Sequence, residues 1–178
     1  MQTFLIIAAG QGLLLSLGLI SSVFYKRWSN LFLGLIVLIF SLEILNTWAL
    51  QIRYHEQEGI FPFWVFSSYL IIPAALFLFG KLNTKPQFKI TRKHFLLFLP
   101  AIIEIFSEIG VFIANEYYGQ LYNLFAIPIW FFFTEILPPF SILFAIIIAM
   151  IDLRNLRKQT KAFIGKKQDW HLVKVAVI

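Results

Sequence analysis

The chain has no cysteine among its 178 residues. Disulfides, thiol catalysis and cysteine-bound metals are thereby excluded, while the compartment is left open. Charge is nearly as scarce. Only 13% of residues are Asp, Glu, Lys or Arg, against 60% hydrophobic, too little to give a domain of this size a polar exterior. Signatures of catalysis are missing too. There is no GxxxxGK phosphate loop, no GxSxG, no HExxH and no GxGxxG, so nothing marks an enzyme or asks for a cofactor. Gly10-Gln11-Gly12 is too short to cradle a phosphate and suits helix packing instead. The histidines His55, His94 and His171 sit in separate loops or ends without metal-ligand spacing. His55, next to Glu56 and Glu58, reads as part of a solvated loop.

Long apolar runs make up most of the chain, with 21 phenylalanines among them. Residues 94–113 (HFLLFLPAIIEIFSEIGVFI) are the clearest. At ~1.5 Å rise per residue such a run crosses a hydrocarbon core of ~30 Å. Similar runs cover residues 3–24, 31–50 and 61–79, and a longer one covers 121–150. The first follows no basic residue and shows no small-residue cleavage site, so it reads as a retained helix with Gly10, Gly12, Ser16 and Gly18 offering a small face. In the third, Pro73 is expected to kink the helix. The fifth contains Pro128, Pro138 and Pro139 and is expected to be one bent crossing, with a split into two short helices as the alternative. The fold class that follows is all-α, a polytopic transmembrane bundle of five crossings occupying residues 1–150.

Charge gives the expected orientation. Lys26 and Arg27 follow the first run. Lys81, Lys85, Lys89, Arg92 and Lys93 lie between the third and fourth, and seven more cations follow residue 150. Arg53 alone lies in the two remaining loops. The positive-inside rule then places the N-terminus outside and the C-terminus in the cytoplasm. The net charge of +6 needs no nucleic-acid partner on this account, only the lipid bilayer with its anionic headgroups. Residues 151–169 read as a basic cytoplasmic linker helix. Residues 170–178, opening on Trp170, read as the start of a further crossing that nine residues cannot complete, or as an interfacial tail.

Four carboxylates fall inside the runs: Glu43, Glu104, Glu108 and Glu135. Glu104 and Glu108 are four apart and share a helix face. Acids at membrane depth are costly when they face lipid, so these should turn toward protein or water. They would serve as protonated hydrogen-bond donors between helices, or as a proton or ligand site for a cation or basic molecule entering from outside. A transport path is a third reading, weakened by the absence of any Lys or Arg partner within the runs.

The order of landmarks resembles the membrane-embedded sensor half of bacterial helix-turn-helix regulators of the AraC type, and of related membrane histidine kinases. GQGLLL (residues 10–15) is followed by a basic turn and SNLFLGL (29–35). IIPAALFLF (71–79), a basic loop, HFLLFLP (94–100) and LRNLRK (153–158) come next, and then Trp170. The resemblance implies a multi-pass domain of the bacterial inner membrane that senses or anchors, followed in that family by further helices and a DNA-binding or kinase module. Neither module is recognisable here, so no direct nucleic-acid binding is expected of this segment. No family residue maps onto the four glutamates. Two other readings stand beside it: a small oligomeric transporter or channel subunit using the glutamates, and an accessory subunit of a larger complex. A homo-oligomer is compatible with each.

Overall fold

The computed structural model describes the backbone of residues 2–25, 28–57, 60–85, 87–118 and 122–176, with side chains except at 56, 125 and 159–176. Lys26, Arg27, Glu58 and the last two residues of the expected terminal segment lie outside the described residues. The described residues contain helices and no strand. Five helical stretches are long and apolar enough to cross a membrane: Gln2–Tyr25, Trp28–Gln51, Phe63–Thr84, Arg92–Tyr118 and Pro128–Lys158.

Helix α1 (Gln2–Ser21) ends in a 3₁₀ turn, Ser22–Tyr25, and packs against α2 (Trp28–Gln51). Small residues set that approach. Ala9, Gly12 and Ser16, spaced three and four apart, form a stripe on α1 whose Ala9 and Ser16 are fully buried. A Cβ on Gly12 would collide with the Ser41 hydroxyl on α2, and one on Gly34 would meet the Ile20 backbone at 3.1 Å. Gly10 and Gly18, expected on the same face, have open space beside them. The hydroxyls in this tight seam need partners, and they find them in their own helices. Ser16 donates to the Leu13 carbonyl at 2.8 Å and Ser41 to that of Val37 at 2.7 Å.

The third stretch departs from the expected single helix over 61–79. It begins as a 3₁₀ turn, Phe63–Phe66, loses helical form over 67–70, and resumes as α3 (Ile71–Thr84). Pro73 therefore lies in the first turn of α3, where its missing N–H has no helical acceptor to serve, and it starts a helix instead of kinking one. At its far end α3 continues five residues past the expected end and carries Lys81 within it.

A short helical lead, Arg92–Phe95 and a 3₁₀ turn at Leu96–Phe98, opens α4 (Leu99–Tyr118). Thr91 caps the lead, its N–H donating to His94 Nδ1 at 3.0 Å. The fifth stretch starts at Pro128–Phe131, passes through a π turn at Phe132–Ile136, and runs on as α5 (Leu137–Ala176) without a break at residue 150. Pro138 and Pro139 account for the π turn. Neither has an N–H to offer the carbonyls one α-turn upstream, at Thr134 and Glu135, and the ladder widens there.

In the bundle α1 packs on α2, α2 on α3, and α3 on α5. Phe32, Ala75 and Leu78 form a buried core between α2 and α3, with Phe98 stacked 6.2 Å from Phe32. At the basic end, Lys81 Nζ lies 2.6 Å from Asp152 Oδ2 and Lys85 Nζ 3.4 Å from Oδ1, tying α3 to α5. Helix α4 stands apart from this row, touching it mainly through the 3₁₀ turns. Two hollows lie beside it. Elsewhere large apolar side chains point outward, such as Phe4 at 73% exposed and Phe106 at 70%, as lipid-facing surfaces require.

Candidate functional site

The first hollow is a cavity of about 560 Å³ at the weakly charged end of the bundle, and all four glutamates line it. Helix α2 contributes Glu43, Asn46 and Leu50, three and four apart on one face. Helix α4 contributes Glu104, Glu108, Phe112 and Asn115, again on one stripe. Glu135 comes from the π turn. Glu43, Glu108 and Glu104 each lie close enough to Glu135 to interact with it electrostatically.

The two irregular stretches of backbone supply the remaining polar groups. From the gap before α3, Ser68 donates a hydrogen bond to Glu104 Oε2, and the Tyr69 phenol is hydrogen-bonded to Glu43. From the π turn come Thr134 and Glu135. Non-helical or widened backbone at membrane depth is tolerated where it borders a polar cavity rather than lipid, and π turns are frequent at functional sites. Glu104 is the most enclosed of the acids, only 6% exposed.

At the end near the loop after α2 the cavity is rimmed by rings. His55 stands 4.0 Å from Trp64 between ring centroids, Trp64 meets Phe112 edge-on at 6.2 Å, and Tyr54 packs on His55, Phe63 and Trp64. His55 is thus not the solvated loop residue its acidic neighbours suggest. Burial disfavours its imidazolium and lowers its pKa from the ordinary value. Asn115 closes the rim from the opposite side. Its Nδ2 donates to the Tyr122 carbonyl at 3.0 Å and its Oδ1 accepts from the Tyr122 N–H at 2.9 Å.

The hydrogen-bonding balance is one-sided. The Ser68 and Tyr69 hydroxyls are engaged by carboxylates. Asn46 Oδ1 and His55 Nε2 are buried with no protein partner. No lysine or arginine lines the cavity among the described residues. The cavity therefore gathers four carboxyl groups and two unpartnered polar atoms with no cation among its described lining residues. Among the described residues no three His, Asp or Glu side chains approach one point closely enough to hold a metal ion. Its carboxyl groups are spread over a molecule-sized space, with aromatic faces at one end that favour a cation.

No known family, curated protein or solved structure matches the chain. The site is read from its own chemistry. Sequence inspection finds the glutamates but misses Asn46, His55, Trp64, Ser68, Tyr69 and Asn115. Ser67-Ser68 five residues before Pro73 is the signal that could have revealed the helix break, since hydroxyl residues and an early proline together mark a helix start.

Proposed function

We propose that this chain is the membrane-embedded sensory domain of a bacterial signalling protein, and that its stimulus is a small protonated amine bound in the glutamate cavity. The observation that carries this reading is the cavity's chemistry: four carboxylates and two unpartnered buried polar atoms, with aromatic rings at the rim and no cation of its own. An alkylammonium supplies what is missing, several N–H donors and a positive charge for Glu104, Glu108 and Trp64. With the basic loops on the cytoplasmic side of the inner membrane, the rim at His55 and Asn115 faces outward, where an external amine would arrive. The relay is α5, which begins beside Glu135 and runs unbroken to Ala176. A ligand drawing Glu135 toward Glu104 shifts the near end of that rod, and the basic helix beyond Asp152 moves with it.

The test is the thermal midpoint of the full chain in detergent, titrated with putrescine, propylamine, tetramethylammonium and butanol. Saturable stabilisation by the two amines is expected. Tetramethylammonium, which lacks N–H donors, should do less, and butanol nothing. No shift with either amine would overturn the ligand assignment. Spin labels at Asn83 and Arg157 test the relay, since their separation should change when putrescine binds. An unchanged separation would reduce the domain to an anchor. Liposomes carrying the chain should show no amine or proton flux, and flux that Glu104→Gln abolishes would favour the transporter reading instead.

A further inference from the structure

The second hollow has a different character and stands independently of the amine site. It is an apolar groove of about 480 Å³ between α3, the start of α4 and α5, with Ser141 as its one polar side chain. Three stripes form its walls. Ala74 and Phe77 on α3, with Leu70 just before it, form one, and Leu137, Phe144 and Ile148 on α5 another. Leu97 and Pro100 close the third side.

Each stripe leads, one helical turn further on, to a charged residue at the same end of the bundle. Lys81 follows Phe77 by four positions, and its Nζ lies 5.3 Å from the Phe77 ring centroid. Asp152 follows Ile148 by four and is paired with Lys81 and Lys85. Lys93 precedes Leu97 by four and is exposed. Lys81, Lys85 and Lys93 against Asp152 give these four groups a net charge of +2. The groove's length is equally informative. From Leu137 to Ile148 is eleven residues, or about 16 Å of helix, half of a ~30 Å hydrocarbon core. The groove thus spans a single leaflet and opens into positive charge at that leaflet's headgroup level.

We propose that this groove holds one acyl chain of an anionic phospholipid, with the phosphate seated between Lys93 and the Lys81–Asp152–Lys85 cluster. The apolar walls recognise the tail. Lys85, 52% exposed and farther from Asp152 than Lys81 is, has hydrogen-bonding capacity left for a phosphate oxygen, as does Lys93. A zwitterionic lipid would place its own cation against this cluster and gain less.

The experiment is native mass spectrometry of the full chain released from nanodiscs of equimolar phosphatidylglycerol and phosphatidylcholine. One retained phosphatidylglycerol per chain is expected, at least fivefold over phosphatidylcholine. Lys93→Gln should bring the ratio close to one. Leu97→Trp, which fills the groove mouth and leaves every cation in place, should lower retention of both lipids, with circular dichroism confirming that the helices persist. Glycerol 3-phosphate added to delipidated protein should leave the thermal midpoint unchanged, while phosphatidylglycerol raises it. Equal retention of the two lipids by the unmodified chain would overturn the proposal. So would unaltered phosphatidylglycerol retention in both variants, or full stabilisation by glycerol 3-phosphate, which would mean an anion site without a tail site.

Discussion

Helix α4 borders two hollows that are opposites in make-up. Toward the weakly charged end it turns Glu104, Glu108 and Asn115 into a cavity bounded by the broken start of α3 and the π turn. Toward the basic end its lead borders a groove whose facing walls are regular turns of α3 and α5. Both stretches of interrupted backbone, the break before α3 and the π turn, bring hydroxyls and a carboxyl to the polar cavity, whereas the groove's two long walls are almost wholly regular helix. The physical link is satisfaction of backbone groups. An interrupted helix frees carbonyls and N–H groups that hydrocarbon cannot satisfy, so such a segment is stable only beside polar side chains or water. A regular helix satisfies its own backbone and can offer an acyl chain nothing but side chains.

The sharpest way to break this contrast is to neutralise one hollow and read both. Glu104→Gln with Glu108→Gln removes two charged acceptors. At about 1.5–3 kcal/mol each, putrescine affinity should fall at least about 100-fold in a thermal-shift titration, with phosphatidylglycerol retention unchanged. A parallel loss of lipid would show that the two hollows are one coupled site.

Asp152→Asn probes the opposite end. It leaves Lys81, 15% exposed at its side chain, without its partner, and should cost about 1–2 kcal/mol, a few degrees of thermal midpoint. The same change raises the local positive charge, so phosphatidylglycerol should recover more of the lost stability than it adds to the unmodified chain.

Asn115→Ala removes both hydrogen bonds to Tyr122. These are exposed, so the expected destabilisation is about 1 kcal/mol, accompanied by faster hydrogen exchange at Tyr122 and little change at α3.

The smallest expected effect belongs to His55. Its folded pKa is lowered by burial, so the unfolded chain takes up the proton more readily. Stability is unaffected above the ordinary histidine range, about 6.5, and declines as pH drops through that range toward the folded value. His55→Gln should flatten this decline in midpoints recorded from pH 7.5 to 5. A slope that survives the substitution would assign the titration to another group.

The helical class, the five apolar stretches and the presence of four acids within them are all legible in the sequence, because each rests on run length and residue type. The break at 67–70 is not. Residues 61–79 read as one apolar run by average hydropathy, in which Ser67-Ser68 weigh little, and hydropathy does not register whether backbone bonds are made. Pro73 misleads for the same reason, since its effect depends on its distance from a helix start that only the structure locates. The convergence of Glu43, Glu104, Glu108 and Glu135 is likewise a long-range property, set by which faces α2, α4 and the π turn present once packed. His55 is drawn into the rim by Trp64 and Tyr54 against the pull of its acidic sequence neighbours.

The π turn of Phe132–Ile136 has one more consequence, a matter of angular phase. One surplus residue in a rod of 3.6 residues per turn rotates everything after it by about 100°. On an uninterrupted wheel Phe144 and Ile148 would stand about 180° and 220° round from Glu135, and the offset in the π turn that holds Glu135 changes that phase. Deleting a single residue from this turn would cancel the rotation and swing the whole downstream stripe off the groove.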